Sequence, residues 1–209
     1  MIFVLLKRHR KAFGHICILQ TGALKNWTSR PVLNCRVAQM TDDEFDQITR
    51  RPIQESDDRF LFDVFLAGID QQRKHVTCTD EQWVTLQADQ YRLQTAFYHE
   101  HWSDSSSFDI IELNGRPIGR IYEWQGLDEG VEQIRVIDFS LLAEFRNQGI
   151  GSRVIKGLID RADGKLLPVR TRIAPVDLSR PFLERHGFTL LTDEGMTLLF
   201  QRLPGGQLT

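Results

Sequence analysis

A chain of 209 residues with 41% hydrophobic and 26% charged residues and a formal net charge of -2 has the composition of a globular protein, and its length fits one domain whose core needs no covalent staples. Cys17, Cys35 and Cys78 are odd in number and scattered, without CxxC or Cys/His spacing, which excludes a disulfide framework or a cysteine metal site and reads as reduced thiols in a cytoplasmic protein. No stretch approaches the roughly 20 apolar residues of a membrane span, and Ile2 to Leu6 is too short for a signal-peptide core.

Residues 1–40 hold seven Lys/Arg and no Asp or Glu, whereas the remainder carries 19 basic and 28 acidic residues. A basic arm can touch nucleic acid or an anionic membrane, and an Arg-rich, acid-free start also has the look of a transit peptide. The plainer reading is that residues 1–45 are a poorly ordered basic extension, or a start codon assigned too far upstream with Met40 as the true start, because nothing before Met40 has a helical or strand period. From residue 47 the pattern becomes readable. Ile48 to Ile53 reads as a strand and Glu55-Ser56-Asp57-Asp58 as a polar helix start, with Phe60, Leu61, Val64, Phe65 and Ile69 at helical spacing. Asp80 is the expected cap of a second helix that runs through Trp83, Leu86, Ala88, Tyr91, Leu93 and Phe97 to His101.

After the turn-rich run 103–107 the period becomes that of strands. Phe108 to Leu113, the hairpin Asn114-Gly115, Pro117 to Trp124 and the β-branched run Val131 to Leu142 predict an antiparallel meander. The turn 143–152 opens a helix with Ile150, Val154, Ile155, Leu158 and Ile159 on one face, ended by Gly164. Leu166 to Ile173 reads as a strand, Asp177 to Arg185 as a short helix, and Phe188 to Leu191 with Met196 to Leu203 as a closing pair. The domain is expected to span 46–203, with 204–209 as a tail.

The chemistry sits in Arg146-Asn147-Gln148-Gly149-Ile150-Gly151-Ser152. A glycine-containing turn opening directly into a helix presents backbone N–H groups that have no partner inside the helix, and such a helix start attracts anions. Gly149 and Gly151 let the backbone approach a phosphate, and Arg146 adds a charge-assisted contact, so a diphosphate is the natural ligand. A P-loop would need a Lys before Ser152, and a dinucleotide fingerprint would need a third glycine inside a parallel βαβ unit. Two glycines that merely shape the turn are the alternative.

The turn matches the Gln/Arg-x-x-Gly-x-Gly/Ala signature of the GNAT superfamily of acyl-CoA N-acyltransferases, and it follows a strand ending Leu141-Leu142-Ala143-Glu144-Phe145. Phe182 to Phe188 looks like that family's late helix with its terminal Glu-Arg-x-Gly-Phe, and Ile118 to Tyr122 resembles its third strand. The resemblance covers residues 47–202. It implies an α/β (α+β) three-layer fold with a mixed, centrally antiparallel sheet of six to seven strands and four helices. It also implies acetyl-CoA as acyl donor without a metal, with the pantetheine paired as an added strand to main-chain groups of Leu141, Leu142 and Ala143. The pyrophosphate would then lie on Gln148 to Ser152, near Arg146 and Asn147. The acceptor would be a primary amine of a small molecule or a protein, attacked directly in a ternary complex. A membrane is not expected as a partner, nucleic acid is disfavoured, and a homodimer is the general default.

The sequence departs from the family where many members carry Asn and, seven residues later, a Tyr acid; here these are Val176 and Leu183. A non-catalytic acyl-CoA sensor is therefore the rival function, and a modifier of protein termini that uses the basic arm is a second. Asp138, which interrupts an apolar strand, and Glu123 are the candidate bases, with Glu132 on the same pair of strands. Asp138 reads more readily as a wet-face residue or a satisfied structural carboxylate. His99 and His101 lack metal spacing, His186 sits in a turn, and Trp83, Tyr91, Phe97 and Trp102 read as core more readily than as an acceptor pocket.

Overall fold

The computed structural model describes residues 15–17, 47–73, 76–102, 104–128 and 130–206, with the backbone alone for 15–17, 70–72 and 206. The strands are β1 (His15–Cys17), β2 (Ile48–Pro52), β3 (Ser106–Leu113), β4 (Arg116–Asp128), β5 (Val131–Leu141), β6 (Val169–Ile173), β7 (Thr189–Asp193) and β8 (Leu198–Arg202). The helices are α1 (Asp58–Arg73), α2 (Asp80–His101), α3 (Ile150–Gly164) and α4 (Arg180–Arg185). One sheet runs β2-β3-β4-β5-β6-β8-β7, with β1 off this path on β5. Its neighbours are antiparallel except β5 with β6 and β1 with β5. The fold is the expected mixed, centrally antiparallel α/β arrangement. The expected extension 1–45 lies outside the described residues apart from β1, and Pro204–Gly206, assigned to the tail, forms a turn whose Gly205 amide donates to Asp163 on α3 at 3.0 Å.

The sheet has a helical layer on each face. On one side α3 and α4 set Ile150, Ile155, Leu158, Phe182 and Leu183 against Val136, Phe139 and Phe200. On the other, α1 and α2 set Leu61, Phe65 and Tyr91 against Ile110, and Tyr98 against Tyr122 and Ile137. The cap of α2 is Thr79 rather than Asp80. The Thr79 hydroxyl accepts from the Gln82 amide at 3.2 Å, and the Gln82 side chain accepts from the Thr79 amide at 3.0 Å, so two orphan donors are satisfied reciprocally. The buried stripe of α2 is Trp83, Gln87, Tyr91 and Tyr98, which leaves the expected Leu86 and Leu93 exposed. Helix α4 begins three residues later than expected, because Asp177 accepts from the Ser179 amide at 2.8 Å and holds that stretch in a turn.

Two local features shape the centre of the sheet. In the β4–β5 ladder Tyr122 faces Asp138 and Glu123 faces Val136, so Ile137 is an extra residue, a β-bulge. Ile137 joins the cluster on the α2 face, Asp138 bonds to Tyr98 on that same face, and Phe139 turns to the α3 face. At Gly119 a Cβ would collide with the Ser140 carbonyl oxygen and the Leu141 side chain of β5. Gly119→Ala is therefore expected to destabilise by about 1–3 kcal/mol, as overpacking against backbone does. Urea denaturation checks this; a midpoint equal to that of the parent would show that β5 can retreat.

Candidate functional site

Two structural elements meet at the C-terminal end of β5, and a third lies on the α1–α2 face of the sheet. The first is the start of α3. A tight turn at Ala143–Phe145 follows β5, the Arg146 Nε donates to the Leu141 carbonyl at 2.8 Å, and Gln148 donates to the Glu144 carbonyl. Asn147 and Gly149 take left-handed φ values of 60° and 85°, and Gly149 caps α3 without any side-chain bond. The amides of the first turn thus point away from the helix with no capping side chain among the described residues. Ile150 anchors the turn in the core, and a Cβ on Gly151 would lie 3.5 Å from the Phe182 ring and 3.7 Å from Phe139. The Arg146 side chain folds back onto the end of β5, so it braces the turn.

The second element is the edge of β5 from which β6 withdraws. Its pairing with β6 covers only Ile134 to Val136 against Val169 to Thr171. Beyond the bulge the two strands separate, and β1 occupies the vacated edge in parallel register, His15 opposite Asp138 and Cys17 opposite Ser140. An extended chain added to this edge is the geometry expected for the pantetheine arm.

The third element lies on the opposite face of the sheet, beneath α1 and α2. A cavity of about 310 Å³ is lined by Glu55, Asp58, Tyr91, Tyr98, Phe108 and Tyr122, with His99 at its side. Behind its Tyr98 and Tyr122 walls lies a buried polar cluster. Asp138 and Arg120, 2% and 3% exposed, pair at 2.7 Å, and Asp138 also accepts from the Tyr98 hydroxyl at 3.2 Å and the Ser140 hydroxyl at 2.9 Å. Burial, reinforced by Asp138, pushes the Tyr98 phenol well above its ordinary value, and burial lifts Tyr122 to about 12. Burial opposes the Arg120 charge, but Asp138 beside it more than compensates and holds the guanidinium protonated.

Of the two carboxylates expected as bases, neither lines this cavity: Asp138 is buried behind Tyr98, to which it is bonded. Glu123 bonds to Arg50 at 2.6 Å and to Arg161 of α3, an ion-paired brace between the edge strand β2 and α3. Residues 75–188, more than half of the chain, match the model of the acetyltransferase (GNAT) family.

The chain belongs to that family. Among solved structures, this GNAT protein is similar to PH1933 from Pyrococcus horikoshii OT3, with TM-score 0.58 and 16% identity over 76% of this chain and 99% of that one. It is also similar to an acetyltransferase from Thermus thermophilus, with TM-score 0.55 and 16% identity over 75% and 97% of the two chains. A third is the PaiA N-acetyltransferase from Thermoplasma acidophilum in complex with coenzyme A, with TM-score 0.54 and 14% identity over 75% and 98%. At these identities the likeness speaks for the fold. No curated protein matches the chain in sequence.

Of the two positions at which the sequence was expected to depart from the family, Leu183 is fully buried on α4 and Val176 is 88% exposed. His186 Nδ1 lies 2.7 Å from the Phe182 carbonyl and His101 Nδ1 2.9 Å from the Phe97 carbonyl, each ring resting on the phenylalanine it follows. Among the described residues no group of three or more His, Cys, Asp or Glu could hold a metal ion, and no helix is long and apolar enough to cross a membrane. Trp83 is core, as expected, whereas Tyr91 is both core and cavity wall. Sequence reasoning passed over Tyr98, Tyr122, Glu55 and Asp58. Tyr98 stood one residue from the stripe drawn through Phe97, and the two acids were read only as a helix start.

Proposed function

We propose that the protein transfers the acetyl group of acetyl-CoA to a primary amine by direct attack in a ternary complex. The observation that carries this reading is the junction of an uncapped, glycine-shaped helix start with a strand edge that separates from its neighbour. One feature suits a pyrophosphate and the other an extended pantetheine, and they are contiguous in the chain. In this reading the amides of Gln148, Gly149, Ile150, Gly151 and Ser152 hold the pyrophosphate, with Asn147 shaping the turn. Main-chain groups of Leu141, Leu142 and Ala143 pair with the pantetheine.

The amine enters from the cavity under α1 and α2. Its nitrogen lone pair forms the C–N bond at the thioester carbonyl, the C–S bond breaks, and the sulfur leaves as thiolate. The ammonium proton departs to water through the cavity mouth, and the thiolate is protonated from solvent, because Leu183 has no proton to give. Rate enhancement then comes mainly from proximity and orientation. Asp138 is fully engaged by Arg120, Tyr98 and Ser140, so it orients the Tyr98 phenol from behind the cavity wall, while Glu123 braces the sheet.

Amine-dependent thiol release from acetyl-CoA tests the reading. Turnover with any member of a broad amine panel supports it. Tight acetyl-CoA binding without turnover across the panel would assign the protein as an acyl-CoA sensor, the reading that Leu183 favours. Removing residues 1–40 is expected to tighten acetyl-CoA binding, because β1 and the pantetheine would use the same edge of β5. Calorimetry on the two forms checks this, and identical affinities would mean that they do not compete.

A further inference from the structure

The cavity under α1 and α2 has two kinds of lining. Tyr98, Tyr122 and Phe108 pack into one ring cluster, the aromatic end, backed by the neutralised Asp138–Arg120 pair, whereas Glu55 and Asp58, both exposed at the start of α1, form the acidic end. Their neighbour Asp57 is already committed, since Arg51 bonds it at 2.6 Å and holds its carboxyl below the ordinary carboxylate range. Glu55 has no such partner among the described residues. Asp58 receives only the Tyr91 hydroxyl at 3.0 Å, and the adjacent Arg59 turns to Asp63 at 3.3 Å. Two carboxylates thus stand at an aromatic cavity with no Lys or Arg paired to them among the described residues.

The two ends make opposite demands on a bound amine. The nitrogen that attacks a thioester must be neutral, and the dry aromatic end, by withholding water from a charge, favours the uncharged form. The acidic end favours a cation, which the Tyr91 ring can also receive. A volume of about 310 Å³ lies at the small end of ligand cavities. We infer that the acceptor is a small aliphatic diamine or polyamine, whose reacting amine lies at the tyrosine end while a second ammonium group sits between Glu55 and Asp58. This inference rests on the proposed acetyl transfer and names the substrate class for the same site.

The test compares a straight-chain monoamine with the diamine of the same carbon skeleton, as acceptors for the full chain and for Glu55→Gln/Asp58→Asn. The diamine is expected to have a kcat/KM about tenfold or more above the monoamine, the worth of one charge-assisted contact. In the double variant this preference falls to near unity, through KM rather than kcat, as the loss of uniform binding requires. Retained acetyl-CoA affinity certifies that the variant is folded. Equal kcat/KM for the two amines, or a preference that survives in the double variant, overturns the inference and leaves acetyl transfer standing. If no amine turns over, acetyl transfer falls, and calorimetric titration of the diamine into the protein with coenzyme A present decides the inference separately. Binding that disappears in the double variant supports it, and absence of binding overturns it.

Discussion

Replacing Asp138 by Ala is expected to destabilise the protein by about 3–5 kcal/mol, the cost of removing one partner of a buried ion pair. The magnitude follows from what the carboxylate satisfies. Arg120 would be left as a buried charge without its anion, and the hydroxyls of Tyr98 and Ser140 would lose the acceptor they share. Replacing the pair together, with Asp138→Leu and Arg120→Met, is expected to cost less than the single change, because no charge is stranded. Urea denaturation of the three proteins measures this. Asp138→Asn then separates structure from chemistry: it keeps the shape and two hydrogen-bonding positions, so kcat/KM is expected to stay within about tenfold of the parent at temperatures where the variant is folded. A fall of the 10²- to 10⁴-fold size typical of a lost general base, with the fold intact, would restore Asp138 to the catalytic role the sequence suggested.

Asp138 also shows where sequence periodicity stops being informative. The order of elements from residue 48 onward was legible because each element carries its own signal: the Phe60 to Ile69 spacing for α1, Asn114-Gly115 for the hairpin, and β-branched residues through β5. Strict alternation along β5, however, places Ile137 and Asp138 on opposite faces. The bulge at Ile137 puts both toward α2, and nothing in Val136-Ile137-Asp138-Phe139 marks it, because a bulge is a property of the pairing with Tyr122 and Glu123. The same limit hid the cavity. Its wall is assembled from residues as far apart as Glu55, Tyr98 and Tyr122, each of which has an ordinary local reading. The turn at 146–152 was legible for the opposite reason. Its function lies in consecutive main-chain groups, so a short run of residues contains the whole device.

That device yields the second large expectation: Gly149→Val combined with Gly151→Leu should abolish acetyl-CoA binding. Gly149 has φ 85°, and a β-branched residue there costs about 1–2 kcal/mol or forces the turn to another conformation. At Gly151 the first added carbon finds ordinary contact distances, 3.5 Å to Phe182 and 3.7 Å to Phe139, but a longer side chain must displace one of those rings or swing over the helix start. Gly151→Ala alone should therefore keep its affinity, in agreement with a signature that accepts Gly or Ala at this position. In the double variant at least two amide contacts to the pyrophosphate are lost, each a bond to a charged group worth about 1.5–3 kcal/mol, so affinity should fall by at least about 100-fold. Calorimetric titration with acetyl-CoA reads the loss, and circular dichroism confirms that α3 remains formed. An unchanged affinity in the folded double variant would place the pyrophosphate elsewhere. Because the proposed amine site lies on the other face of the sheet, diamine binding should persist in this variant, which makes the donor and acceptor halves of the site separable by mutation.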